Sequence, residues 1–228
     1  MIELTAAAAF LLASHFGISS TRLRPWLVAR LGERAYLGVY SLIALAAIVW
    51  LIAAYAGAPY VELWPRTGWL AWLPLIVMPV ALVLAVGGLS APSPTAVGAE
   101  GTLGQADPVR GIFRITRHPV MWAVGLWALA HLVASGDLAG LVLFATLGGL
   151  ALAGTVLIDR KLAARRSADW PRLAAASSNL PFAAIRAGRQ HLVLSEIGWW
   201  RIALALALYV VLLALHPWLF GASPLGLS

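Results

Sequence analysis

The chain has 228 residues, 61% hydrophobic and only 11% charged, with a formal net charge of +7 and a mean hydropathy of +0.87. These values lie far outside those of soluble globular domains and indicate an integral membrane protein. The absence of cysteine excludes disulfides, thiolate metal sites and thiol nucleophiles. The positive charge sits in the connections between apolar runs, where an anionic leaflet attracts it, so no nucleic-acid partner is expected.

Six runs are long and apolar enough to cross about 30 Å of hydrocarbon as helices: residues 2–20, 36–57, 69–90, 118–136, 139–159 and 199–220. The fold class is therefore all-α, a single-domain membrane bundle of about six transmembrane helices over residues 1–228. The first run begins at Met1 with Glu3 and lacks a basic leading region or a small-residue cleavage site, so it reads as a helix and not a removable signal. Lys and Arg number four in residues 21–35, three in 91–117 and seven in 160–198, against Arg66 alone in 58–68. By the positive-inside rule the basic connections are cytoplasmic and both termini lie outside. Trp64, Trp69, Trp72, Trp199, Trp200 and Trp218 mark the interfaces.

The first run carries His15 and ends in Ser19, Ser20 and Thr21, and a short interfacial stretch leads from there into the second. Pro74 and Pro79 predict a kink in the third run, with neighbouring helices or water satisfying the freed carbonyls. Residues 91–108 are rich in Pro, Gly and Ala and read as a loop. Their GAEGTLG segment lacks the strand and Lys-Ser/Thr of a phosphate-binding loop. Gly148, Gly149 and Gly154 allow another helix close to the fifth run. The last basic connection, residues 160–198, is partly amphipathic and is expected along the anionic leaflet.

Gly111 to His131, GIFRITRHPVMWAVGLWALAH, concentrates three functional residue types at a membrane edge. Ionisable groups there are costly and mark a candidate site. Pro119 suits the first turn of a helix, which places the start near His118. Thirteen residues separate His118 from His131, about 20 Å of rise and 220° of rotation, so one helix cannot bring both to the same metal. A metal ligand on this helix needs a partner from another. Arg114 and Arg117, near the start, are suited to an anion such as a carboxylate or a lipid headgroup. Trp127 lies one turn before His131 on the same face.

The pieces SHFGISSTRLRPWLVARLGERAYLGVYSL, GGLSAPSPTAVG, the central stretch continuing to LVLF, and IDRKLAARRSADWPRLAAASSNLPFAAI span residues 14–185. In these pieces the sequence resembles the NnrU family of bacterial membrane proteins and is similar to the zeta-carotene isomerases of plants and cyanobacteria. The first resemblance implies a place in the bacterial cell membrane and an association with nitrite and nitric oxide reduction. The second implies a haem b in a membrane site and a lipophilic substrate. It implies that His15 and His131 match the histidine ligands of that haem, and His118 the histidine of the shared RHP motif. A cysteine used by the isomerases falls at Ala128, so ligand exchange through sulfur is not available here. His15 and His131 sit on opposite sides of the bilayer middle with a depth offset on the order of 10 Å, which two imidazoles reaching one iron from opposite faces can span. The second ring nitrogen of each needs an oriented acceptor, for which Ser14, Thr155 or a backbone carbonyl is available. In this arrangement Trp127 walls the porphyrin, and Arg114 and Arg117 face its propionates.

Two other functions remain open. The RHPxxW pattern also resembles that of isoprenylcysteine and phospholipid methyltransferases, which bind S-adenosylmethionine, although only Asp159 stands where those enzymes carry a Glu-Glu pair. A non-enzymatic haem carrier is the third class. His191, in a basic loop, and His216, before Pro217, receive no role. No serine occupies a nucleophile turn.

Overall fold

The computed structural model describes residues 1–18, 21, 23–66, 68–95, 109–165 and 169–224. Helix α1 spans Ile2–Ala13 and passes into a π-helical turn, Ser14–Ile18; α2 spans Leu23–Leu31, α3 Glu33–Ala56 and α4 Trp69–Ser90. A single 3₁₀ turn at Gly111–Arg114 precedes α5 (Pro119–Ser135) and α6 (Leu138–Arg165). Three short helices follow, α7 (Trp170–Ala176), α8 (Ala183–Arg186) and α9 (Leu194–Ile197), before α10 (Trp199–Phe220). Apart from one isolated bridge between Glu62 and Asp137, the described residues contain no β-structure.

Each of the six apolar runs forms a helix, and the protein is a multi-pass membrane protein. By length and apolarity, α3, α4, α6 and α10 each suffice to cross a bilayer, and α1 with its π turn and α2 pass together as a fifth, bent by 74°. The 17 residues of α5 fall short of that length, so helix length alone does not establish six. The fifth run extends further than expected, to Arg165, because Arg160 to Arg165 are good helix formers. This places Asp159 inside a helix rather than at its end. Most of the Pro/Gly/Ala-rich loop, residues 96–108, lies outside the described residues.

The long helices pack in the order α3, α1, α6, α5, α4, α10. Small residues bring α5, α6 and α4 together, as expected where lipid supplies no hydrophobic drive between helices. A Cβ at Gly125 would meet Leu152 at 2.6 Å, one at Gly148 would meet Ala128 at 3.0 Å, and one at Gly88 would meet Pro119 and Val120 at 2.8 Å. Gly154 approaches Met121 in the same way, whereas Gly149 faces open space and serves no approach. Helix α4 runs through both prolines. Pro79 has no N–H to give the carbonyl of Leu75 four residues back, and Tyr209 of α10 donates its hydroxyl to that oxygen instead, at 3.1 Å.

At the end of the bundle holding the α5–α6 turn, residues 61–66 form a strap. Leu63 and Trp64 donate their N–H groups to the Gly136 carbonyl at 2.8 and 3.1 Å, and Leu138 donates to Val61. Trp64 Nε1 and Arg66 Nε donate to the carbonyls of Val133 and Ser135. Asp137 Oδ1 accepts from the N–H of Gly140 and closes the first turn of α6. At the opposite, basic end, residues 170–197 fold back as a floor under α5, burying Leu173, Ser177, Ser178, Ala184, Gln190 and Ile197. They do not simply lie along a leaflet, because their polar groups are needed to satisfy the backbone around His118.

Candidate functional site

The TRHP stretch is an irregular segment between the 3₁₀ turn and α5, so its backbone groups need partners from outside. The floor supplies them. Arg117 N–H donates to Ser178 O at 3.0 Å and Phe182 N–H to Ile115 O at 2.8 Å. Thr116 Oγ1 and Trp122 Nε1 both donate to the Asn179 carbonyl, at 2.5 and 2.8 Å.

Into this frame α6 presents Asp159. Arg117 grips it bidentately, Nε to Oδ1 at 2.9 Å and Nη2 to Oδ2 at 2.7 Å. His118 Nε2 is 2.7 Å from Oδ1, and Asn179 Nδ2 donates to Oδ2 at 3.0 Å. Arg117 also donates to Ser177 Oγ at 3.3 Å, and its guanidinium lies over the Trp170 ring at 5.2 Å. Arg117 and His118 are 8% and 3% exposed, so the charges are held where removal of either partner would be costly. A carboxylate only accepts, so His118 Nε2 carries a proton.

Arg114 is held by a second carboxylate. Its Nε and Nη2 donate to Glu196 Oε2 and Oε1 at 2.8 and 3.0 Å, and Nη1 donates to Gln190 Oε1. Gly111 N–H donates to Glu196 Oε2 at 2.8 Å. Arg114 and then the Gly111 amide hold the Glu196 carboxyl down at about 2, below its ordinary value. Gly111 has φ +57, and a Cβ there would meet the Glu196 carbonyl at 2.8 Å, so glycine is required for this clamp. Both arginines thus face carboxylates of the chain itself.

His131 lies in a different environment, as the rotation along α5 requires. Its Nδ1 is 2.8 Å from the Trp127 carbonyl. A carbonyl only accepts, so Nδ1 bears the proton, and in the neutral ring Nε2 keeps its lone pair. The rings of Trp127 and Phe144 stand 5.5 and 5.4 Å from it and 5.2 Å from each other, edge to face. This aromatic box adjoins a core cluster containing Leu11 of α1 and Ala128 of α5. His15 lies in the π turn, with its ring edge-on to Tyr40 of α3 at 5.7 Å.

The two helices run in opposite directions, and helical side chains lean toward their own N-terminus. By this rule His131, on the α-helix α5, leans toward the basic end. Neutral imidazoles such as those of His15 and His131 are the type of side chain that could hold a haem iron. Among the described residues no group of three or more His, Asp or Glu could hold a bare ion. Of the acceptors expected for the second ring nitrogen, the backbone carbonyl serves His131. Ser14 and Thr155 donate instead to Leu11 and Leu152 of their own helices. His118 is engaged by Asp159, His191 is exposed, and His216 Nδ1 is 2.8 Å from the Ala222 carbonyl.

Sequence reasoning did not find Asn179, Gln190, Glu196, Tyr40 or Phe144. Glu196 had a signal, being the last carboxylate of the chain in a segment otherwise rich in arginine. Asn179 had one in the polar SSN run between Ala-rich stretches. The aromatic residues had none, because apolar positions in a membrane helix look alike.

The chain is 43% identical over 84 residues to the chloroplastic 15-cis-zeta-carotene isomerase of Arabidopsis thaliana. It is 39% identical over 82 residues to the chloroplastic 15-cis-zeta-carotene isomerase of Zea mays. Each alignment covers 36% of this chain and 22% of the relative, so the chain matches about a fifth of the length of these proteins. No solved structure matches. The description "NnrU protein" matches residues 3–224, nearly the whole length and both ends of the candidate site, and the chain belongs to the NnrU family.

Proposed function

We propose that this protein binds haem b within the membrane through His15 and His131 and acts on a lipophilic substrate in an isomerase-type or redox reaction. The single observation that carries the reading is His131: its proton is committed to the Trp127 carbonyl, so its other nitrogen is the donor, inside an aromatic box. Supporting it are the isomerase relatives. A bound haem b supplies a one-electron redox centre in an apolar surrounding. Trp127 and Phe144 exclude water beside His131 and offer flat apolar surface to a ring or a polyene. The strap at Trp64 and Arg66 covers the α5–α6 turn one turn beyond His131. Association with nitrite and nitric oxide reduction, and residence in the bacterial cell membrane, belong to the same proposal through the family.

The test is the absorption spectrum of the purified protein, oxidised and reduced, after expression with adequate haem supply. A Soret band is expected, lowered or shifted in His15→Ala and His131→Ala and unchanged in His191→Ala. Absence of the band sinks the proposal and moves weight to S-adenosylmethionine-dependent methyl transfer at the basic end. Haem without conversion of a cis-polyene would leave a non-enzymatic haem carrier.

A further inference from the structure

Residues 178–182 pass beneath the start of α5 with much of their polar backbone turned toward the protein. The Asn179 carbonyl accepts from Thr116 Oγ1 and from Trp122 Nε1 in the first turn of α5. The Leu180 carbonyl accepts from Ser178 Oγ at 2.9 Å and from the Ala183 N–H at 3.2 Å. Phe182 donates its N–H to Ile115 O, and its own carbonyl accepts from the Arg186 N–H at 2.9 Å. Pro181 has no N–H to satisfy. The side chains left on the outside are apolar, with Leu180 56% and Phe182 42% exposed. Among the described residues, Phe182 is the one non-glycine with positive φ, at 62°. A bulky residue is rarely found there and persists only where its surroundings hold it. Two backbone hydrogen bonds hold Phe182, and its ring remains outside.

Neighbouring apolar side chains held outward mark an interaction site in a way that scattered ones do not. A loop can enter an apolar layer where its backbone groups find partners within the protein, and this loop does so at four of its polar backbone groups. Asn179 sets its depth, being bonded to Trp122 of α5 and, through Nδ2, to Asp159 of α6. The next residues therefore stand at the level where α5 begins, the edge of the apolar layer. Arg186, one turn beyond Phe182, and Arg172 on α7 are exposed, and an anionic leaflet attracts such cations. We propose that Leu180 and Phe182 insert into the boundary between headgroups and acyl chains of the leaflet at the basic end, with Arg186 on the phosphates of an anionic phospholipid. The lipid-facing surface of the bundle continues onto the floor at this loop. Because Phe182 also holds Ile115 O, the leaflet's grip on the loop helps to fix the segment that presents Arg117 and His118.

The chain has no cysteine, so Leu180→Cys and Phe182→Cys each offer one site for an environment-sensitive nitrobenzoxadiazole label. The full-length protein is placed in nanodiscs of phosphatidylcholine and phosphatidylglycerol, which leave both faces open to solutes. Each label is expected to emit to the blue of the same label on free cysteine in buffer, to be quenched by nitroxide lipids labelled near the headgroup, and to be shielded from aqueous iodide. In nanodiscs of phosphatidylcholine alone, or with Arg186→Gln in the mixed lipid, access of iodide should rise by up to about fivefold, the factor one arginine beside an anionic leaflet contributes to a partition equilibrium. Leu180 has no positive φ, so its variant keeps the test available if Phe182→Cys fails to fold. Labels that iodide reaches as freely as it reaches labelled cysteine in buffer overturn the proposal and assign the apolar pair to a soluble partner. Shielding that is equal in the two lipids and indifferent to Arg186→Gln also overturns it, because the anionic lipid then has no part.

Discussion

At the scale of single residues, Asp159 holds the basic end together. It accepts two hydrogen bonds from Arg117 and one each from His118 and Asn179, which fills about the four lone-pair sites a carboxylate has. Asp159 stands on α6 and its partners on the TRHP segment and the floor, so one side chain joins three parts of the chain. Asp159→Asn removes the counter-charge from a buried guanidinium, and a change of that kind costs roughly 3–5 kcal/mol. Arg117→Lys keeps the charge and loses the fork, and its expected cost is smaller, about 1–3 kcal/mol. Thermal denaturation in detergent, followed by tryptophan fluorescence, measures both, since Trp170 lies against Arg117 and Trp122 is bonded to Asn179. An Asp159→Asn protein as stable as the wild type would remove this account. RITRHP announced its own importance in the sequence. Its partners did not, because the Arg117–Asp159 pair spans 42 positions and Asn179 stands 20 further on.

At the scale of elements, the helices follow from apolar runs and their punctuation, and the close approaches follow from where glycine meets a neighbour. Two glycines on α6 and its leading turn make the point by contrast. Gly136 has φ +68, and a Cβ there would meet the Trp64 carbonyl at 2.5 Å. Gly136→Ala is therefore expected to destabilise by roughly 1–3 kcal/mol from the backbone alone, with the displaced strap adding to it. Gly149 is helical with nothing within 4 Å of its Cβ position, so Gly149→Ala is expected to be neutral or stabilising by about 0.5–1 kcal/mol. The melting temperature of Gly136→Ala should fall while that of Gly149→Ala holds or rises. A shared direction would show that a neighbour does press on Gly149. Gly148, Gly149 and Gly154 read alike in the sequence, and only the neighbours separate them: Ala128 and Met121 stand over the first and third.

For the whole molecule, the helices form a row with α3 and α10 at its ends. Helix α10 touches chiefly α4, and only 6% of its apolar window is buried inside the protein. Exposed Val210, Ile76 and Leu42 would be a liability in water and are ordinary in lipid. Where described, the three basic connections fall at one end of the bundle and the short ones, with the strap, at the other. Reporter fusions after residues 62, 137 and 228 are expected to report the outer side, in keeping with the positive-inside rule. A cytoplasmic signal from the last of them would invert the proposed orientation.

Whatever a local pattern encodes was legible in the sequence. Apolar runs at Trp69–Ser90 and Trp199–Phe220 predict their helices to the residue because a bilayer demands a fixed length of internally bonded backbone. Pro119 marks the start of α5, and the rotation between His118 and His131 by itself separates their roles. Residues 160–198 show the limit: charge and amphipathicity predict a surface segment, yet Ser177, Ser178 and Asn179 turn inward because the irregular backbone at 115–118 must find partners. The packing of the chain, and nothing short of it, determines which carboxylate meets which arginine, that Phe144 stands against His131, and that His15 stands in a π turn against Tyr40. These are relations between segments far apart in the chain, set by helix packing order and by the direction in which each helix runs, and no periodicity within one segment carries them.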